Sequence, residues 1–402
     1  MAENISYVAK SCSGCGVCEG ICPTKAITMR VVDGFARPLV TDACIECGLC
    51  EQCCPVLKMT AEGENIEGSQ IIDWRQFPYI GYGHSTNKDL RKEAASGALV
   101  TEVLKYLLNQ SIVDYVITSE IYRPDFHKCD PIGYRIIREA DELSEVSGSN
   151  YCPVNIGAAI GYIIDNPGRC AIVCLPCTAR GLYLAKQRKS VLNDRVKMVI
   201  SLLCNHVPSY NASKYLFQKY HVGIPKKIKY RGEGWFGKVR FFSDIIGTKP
   251  YKVVDFSEYY TTSFAQYFWQ ESCMVCRDHF GVYADICAGD ADFIKEKDSN
   301  NQGETILFIK EKSVFRLLLE MKSRQIIAFC CETEASELDR IYGPISVENR
   351  AVKNATWNDE KSILRKERVL SVQNNICKMT KSVAEKIMRV LIMIKYTIMT
   401  RK

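Results

Sequence analysis

No stretch of the 402-residue sequence approaches the roughly eighteen consecutive apolar residues of a spanning helix, so none is expected. The start, Met1-Ala2-Glu3-Asn4, lacks a basic patch leading into an apolar run. A secretory signal is therefore not expected, and a reducing, cytoplasmic setting is. Histidine is scarce: His84, His127, His206, His221 and His279 share no metal-ligand spacing, and no Ser–His–Asp order or carboxylate pair stands out. Net charge of one sign is also modest. The chain carries +7, but from Arg350 to Lys402 alone 13 Lys and Arg face 4 Asp and Glu, so the rest is nearly neutral. A basic footprint spread over a folded face is missing, and nucleic acid is not expected as a partner. What the chain has is a hydrophobic fraction of 47% with 25% charged residues, enough for a sizeable core, and 21 cysteines. Its length suggests two or three domains. So many thiols with no compartment for disulfides point to metal.

Nine of those cysteines fall within residues 10–58, in one internal repeat. Cys12-x2-Cys15-x2-Cys18-x3-Cys22-Pro23 recurs as Cys44-x2-Cys47-x2-Cys50-x3-Cys54-Pro55. This is the spacing of a bacterial two-cluster ferredoxin, in which a tight loop supplies three thiolates to a cubane and the fourth crosses over from the other repeat. One [4Fe–4S] cluster is thus assigned to Cys12, Cys15, Cys18 and Cys54, and another to Cys44, Cys47, Cys50 and Cys22. Gly14, Gly16 and Gly48 allow backbone to approach the sulfides. Residues 26–32 and 35–40 read as a hairpin about Asp33-Gly34. A four-thiolate zinc site is the alternative, but it usually wants two Cys-x2-Cys pairs. Cys53 is left over.

A polar, Gly-containing linker follows at residues 59–79. Helical spacing at 94–109, a β-run at 112–118, a helix at 156–165, a strand at 170–175, a helix at 178–188, a strand at 196–203 and a helix at 209–220 then alternate, which argues a mostly parallel α/β sheet. From Lys226 the chain becomes strand-rich (228–230, 238–242, 251–254), so an antiparallel portion is expected, and 304–309 and 325–330 add apolar β-runs. The expected fold class is an α/β (α+β) domain behind a small ferredoxin-like domain, divided as 1–58, 59–79, 80–160, 161–345 and a basic tail at 346–402; the flavin/iron–sulfur character of the larger domain is what the family resemblance given below implies.

Cys174, Cys177, Cys204, Cys273, Cys276 and Cys287 cluster after strand signals in the second half. They are six candidates for the four slots of a third [4Fe–4S] cluster, because loops leaving the carboxyl ends of strands are where α/β sheets place ligands. The alternative is that some are simply buried thiols. Gly232-x-Gly234-x-x-Gly237 matches the dinucleotide fingerprint, but that fingerprint needs a following helix. Lys238–Phe242 instead alternates like a strand, so Rossmann-type NAD binding is not expected.

Ala95-Ser96-Gly97-Ala98, Gly148-Ser149-Asn150-Tyr151, Leu175-Pro176-Cys177, Cys204, the Tyr230–Gly237 stretch and Cys273 through Asp290 occur in this order. They resemble the beta subunit of the coenzyme F420-reducing hydrogenase and its relatives over residues 80–310. The resemblance implies FAD, with contacts at Ser96, Gly97, Ser149, Asn150, Pro176, Thr178 and Asn205. It also implies a cluster on Cys177, Cys204, Cys273 and Cys276, with Cys174 and Cys287 as neighbours. Relatives usually carry a second glycine at Ala98, Gly-Thr at Cys174-Leu175 and proline at Phe236, so the flavin fit is open there.

Arg231 and Lys238 could counter an anionic cofactor tail or be solvated, and His206 could sit near a cluster or simply pack. The tail at 383–402 spaces apolar residues along one helical stripe with Lys386, Arg389 and Lys395 between them, suiting the inner face of a membrane, a partner or the chain's own body. Together these features imply an oxidoreductase. It would pass electrons between a small-molecule hydride donor or acceptor, such as coenzyme F420, and a redox partner protein or subunit, through FAD and the clusters. A non-catalytic electron-transfer subunit and a redox component of a polysaccharide pathway are the alternatives.

Overall fold

The computed structural model describes residues 5–8, 11–57, 74–124, 130–246, 249–263, 268–276, 278–291, 302–331 and 335–342. His127, the linker up to residue 73 and the tail at 346–402 lie outside the described residues.

Strands β1 (Ile27–Val32) and β2 (Phe35–Val40) form the expected hairpin, paired from Ile27–Val40 to Val32–Phe35. Asp33 and Gly34 both take positive φ at its turn, the geometry that matches the strand twist. The body is built on an eight-stranded sheet in the order β13-β3-β12-β11-β7-β6-β4-β5. Its strands are β3 (Tyr79–Ser85), β4 (Tyr115–Ser119), β5 (Tyr134–Ile137), β6 (Cys170–Cys174), β7 (Val196–Leu202), β11 (Ile286–Asp290), β12 (Thr305–Ile309) and β13 (Ile327–Cys330). The remaining strands, β8 (Lys227–Lys229), β9 (Lys238–Phe242) and β10 (Lys252–Asp255), make a separate antiparallel sheet.

In the large sheet β4, β6, β7 and β11 pair in parallel, and antiparallel pairs join β11 to β12 and β12 to β3. Five strands therefore run the same way and end together at Ser85, Ser119, Cys174, Leu202 and Asp290. Central strands such as CAIVC in β6 and TILFI in β12 are apolar on both faces because helices cover both. On one face Leu99 and Val103 of helix Leu99–Asn109 and Leu318 and Met321 of helix Lys312–Ser323 pack on Ile200, Ile286 and Leu307. On the other, Ile160 of helix Ala159–Asp165 and Ala179 and Leu182 of helix Pro176–Lys186 pack on Ile117, Ile172 and Val199. The same layer takes Val17 and Ile21 from the N-terminal cysteine-rich part, which joins it to the body. Residues 80–160 and 161–345 contribute strands to this one sheet, β3 lying between β12 and β13.

Candidate functional site

Each N-terminal cysteine loop turns into a short helix through a glycine in the left-handed region, Gly16 before Val17–Ile21 and Gly48 before Leu49–Gln52. Only glycine takes that turn without strain, and the turn carries the second and third cysteines of each repeat to one side. Cys22, Cys44, Cys47 and Cys50 line a cavity of about 390 Å³. Cys12, Cys15, Cys18 and Cys54 form the other group. Burial, then Cys12 and Cys54 nearby, push the Cys15 thiol up to about 12, and the same burial and neighbours hold Cys18 well above its ordinary value. The cysteine of each Cys-Pro pair thus lies with the loop of the opposite repeat. Backbone N–H groups of Gly14 and Ala26 donate to the sulfurs of Cys12 and Cys22, both at 3.3 Å. Cys15 and Cys18 are buried, whereas Cys47 is exposed, so one group faces the body and the other faces solvent.

A second cavity, about 570 Å³, opens at the carboxyl edge of the large sheet. Cys177 enters from the first turn of the helix after β6, where Pro176 suits an N–H-free position. Cys204 comes from the loop after β7, and Cys273 and Cys276 from the end of helix Glu271–Val275. Ser13, Pro55 and Val56 close the cavity from the N-terminal part. Burial first, then Cys15, Cys204, Cys276 and Cys273, hold the Cys177 thiol far above its ordinary range. Cys174 and Cys287 are buried in separate apolar clusters instead, and Cys53 packs in the one that holds Cys174. Among the described residues no three Cys, His, Asp or Glu side chains lie close enough to share a single ion. Two of the three thiol groups line cavities, and that donor set fits iron–sulfur clusters.

The residues assigned to flavin all lie along the same carboxyl edge, but only Pro176 and Asn205 line the cavity of the cysteines. Thr178 is buried in the first turn of the helix after β6. Gly97 accepts from the Ser85 N–H at the end of β3, and Ser96 Oγ donates to the Glu304 carbonyl at 2.5 Å. Asn150 spends its amide on Ser119 Oγ and the Glu120 carbonyl. Ala98 has φ 65, so this chain holds a methyl in a conformation glycine adopts more easily. Ser149 and its neighbour Tyr151 meet the Ser96 turn through Arg231. That guanidinium donates to the Ala95 carbonyl, to Tyr151 Oη at 3.0 Å and to Asp290 Oδ2 at 3.0 Å. Arg231 is 5% exposed, which removes the solvated role, and its buried Nε has no hydrogen-bond partner. That buried N–H lies beside Gly237 and is an open donor of the kind an anionic group takes. Lys238 is the solvated one, paired with Asp255 at 3.4 Å.

Gly232, Gly234 and Gly237 all take positive φ, and β9 rather than a helix follows them, as the alternation predicted. His206 is buried and stacks on Trp269 at 4.0 Å beside the cavity. Arg37 and Gln270 belong to this region and no motif announces them, and Asp278 lies in the Cys273–Asp290 stretch without having been singled out. Gln270 is fully buried and Asp278 is 5% exposed, but burial of a polar side chain is invisible in one sequence.

Fold and sites define an iron–sulfur oxidoreductase of the electron-transfer kind. Residues 80–161 match the model for the coenzyme F420 hydrogenase/dehydrogenase beta subunit N-terminus, 168–334 the model for its C-terminus, and 5–28 a 4Fe-4S binding domain. The chain belongs to the coenzyme F420 hydrogenase/dehydrogenase beta-subunit family, with an iron–sulfur domain in front. It is 22% identical over 286 residues to a subunit of the F(420)H(2) dehydrogenase of Methanosarcina mazei, covering 69% of this chain and 75% of that one. It is 24% identical over 217 residues to the beta subunit of the coenzyme F420 hydrogenase of Methanothermobacter thermautotrophicus, covering 51% and 69%. The coenzyme F420-dependent sulfite reductase of Methanocaldococcus jannaschii is 24% identical over 294 residues, 69% of this chain but 42% of that protein. In fold the chain is similar to a chain of the F420-reducing [NiFe] hydrogenase complex from Methanosarcina barkeri, with TM-score 0.50 and 15% identity over 70% of this chain and 90% of that one. Among the described residues no helix is long and apolar enough to cross a membrane.

Proposed function

We propose that the protein transfers electrons between a two-electron small molecule, bound at the carboxyl edge of the sheet, and a redox partner protein or subunit at the exposed Cys44–Cys50 loop. The observation that carries this reading is the 570 Å³ cavity, which has four body cysteines on its wall and Ser13 and Pro55 of the ferredoxin-like part on its rim. Cys177, Cys204, Cys273 and Cys276 would hold one [4Fe–4S] cluster there. Cys12, Cys15, Cys18 and Cys54 would hold the next, and Cys22, Cys44, Cys47 and Cys50 the outermost. Bound FAD would supply the conversion between hydride and single-electron transfer that a cluster cannot make.

Arg231 and the turns at Ser96-Gly97 and Ser149-Asn150 would hold the flavin, with Pro176, Thr178 and Asn205 toward the cluster side. The protein's own part is then positioning, with Arg231 fixing two turns and Asp290 in one geometry. The relatives' names make coenzyme F420 the first two-electron molecule to try. A single experiment tests the reading: reduced coenzyme F420 and, separately, dithionite are offered anaerobically with a one-electron viologen acceptor. Turnover with the deazaflavin supports it. Reduction by dithionite alone, with no deazaflavin turnover and no bound flavin, supports instead a non-catalytic relay, which the internal bonds of Ser96 and Asn150 favour.

A further inference from the structure

Between the inner N-terminal cysteines and the cavity lies a polar bridge that no sequence motif signals. Gln270 is fully buried. Its Nε2 donates to the Ser13 carbonyl at 2.6 Å, and its Oε1 accepts from Arg37 Nη1 at 2.8 Å. The same Nη1 reaches the Cys12 carbonyl at 2.9 Å. Gln270 also precedes the body loop: its own carbonyl accepts the Cys273 N–H at 3.1 Å, and Ser272 Oγ approaches the Cys12 carbonyl at 3.5 Å. One guanidinium is thus pinned between the first cysteine of the N-terminal part and the loop that carries Cys273. Its side chain also runs over the Phe35 ring, 5.0 Å from the centroid, which limits where the charge can go. Burial pulls the Arg37 guanidinium below its ordinary value, and Cys12, Glu271 and Cys273 around it oppose that fall, in keeping with its place between the two cysteine groups.

We propose that Arg37, clamped by Gln270, is a positioning residue shared by two cluster sites, raising the reduction potentials of both and holding them at a fixed separation. This rests on the cluster assignment proposed above. Reduction adds one negative charge to a cluster, and a permanent cation in a partly buried site stabilises that state. Arginine suits the task because it stays charged at every working pH and its planar fork can hold two partners at once. The outermost site at Cys22, Cys44, Cys47 and Cys50 has no part in the bridge and serves as the internal reference.

The test is an anaerobic redox titration followed by electron paramagnetic resonance, on native protein, Arg37→Gln, Arg37→Lys and Gln270→Glu. A Cys47→Ser variant identifies the signal of the outermost centre. Iron and sulfide are assayed first, and their absence from native protein overturns the cluster reading itself. With clusters present, Arg37→Gln is expected to make two centres about tenfold harder to reduce, a fall of about 59 mV for a one-electron couple, and to leave the third unchanged. Arg37→Lys restores most of the shift. If Arg37→Gln loses iron, Gln270→Glu is read in its place, because a carboxylate there neutralises the cation without removing it, and the same two centres should fall. Unchanged potentials in the iron-replete variant, or an equal shift of all three centres, overturn the role of Arg37 and leave the cluster assignment standing.

Discussion

The backbone N–H of Gly157 donates to the carbonyl oxygen of Cys15 at 2.8 Å, so a candidate cluster ligand of the N-terminal part is tied directly to the helical face of the body. The contact is backbone to backbone because glycines line it. A Cβ on Gly20 would run into the Gly157 carbonyl, and one on Gly16 into the Asn155 side chain.

Gly20→Val should therefore loosen this junction. Overpacking of this kind costs about 1–3 kcal/mol. Chemical denaturation should show a lower midpoint, and limited proteolysis should release the N-terminal part earlier than in the native protein. Unchanged stability would mean the two parts do not dock in solution as they do here.

Cys177 and Cys174 stand three residues apart with opposite expectations. Cys177 lines the cavity, whereas Cys174 is buried in the core with Ile172 and Ala179. Cys177→Ser should remove about four iron atoms per chain, one cubane's worth. Cys174→Ala should keep the full iron content and cost about 1 kcal/mol of stability. Iron and sulfide assays on the two variants decide the matter, and equal iron loss in both would contradict the assignment.

Arg231 joins Ala95, Tyr151 and Asp290 while leaving Nε open. Arg231→Leu should weaken flavin retention about tenfold or more and lower the melting temperature, since it leaves the Asp290 carboxylate without its buried partner. Flavin released on heat denaturation, measured by fluorescence, gives the first readout. Native flavin content in a folded variant would move the flavin site elsewhere.

Buried thiols outside the candidate clusters set an alkaline limit, Cys152 and Cys170 among them. Burial pushes Cys152 up to about 12 and Cys170 up to about 11, from an ordinary value of 9.0. In both the neutral thiol is the folded form. Their contribution to stability is full below about pH 9, where folded and unfolded chains are both protonated, and is lost as pH climbs toward 11–12, because the unfolded chain ionises first. The melting temperature should fall steadily above pH 9, and Cys152→Ala should make that fall shallower. A flat profile from pH 9 to 11 would contradict the burial.

Much of this architecture could be read from residue order. The Asp33-Gly34 hairpin, the strand after Gly237 and the run of alternating elements from β4 to helix Tyr210–Lys219 follow from local chemistry and periodicity. Strand β3, YIGYGHS, could not be read this way, because Gly81 and Gly83 weaken its strand signal. Their reason is tertiary: a Cβ at either position would collide with backbone or ring atoms of Ala328, Phe329 and Cys330 in β13. Strand β11 was hidden because Cys287 and its neighbours looked like chemistry rather than β-structure. At the site, spacing singled out the N-terminal cysteines and left six candidates in the second half, among which the family resemblance chose Cys177, Cys204, Cys273 and Cys276. Gln270, Arg37 and the hydrogen bonds of Arg231 come from residues far apart in the chain, and only the folded chain brings them together.

The most direct test of the whole account is quantification of iron, sulfide and flavin in protein purified without oxygen. Three cubanes and one flavin predict about twelve iron atoms and one FAD per chain. About eight iron atoms with no flavin would contradict it, leaving two clusters in the N-terminal part and none in the body.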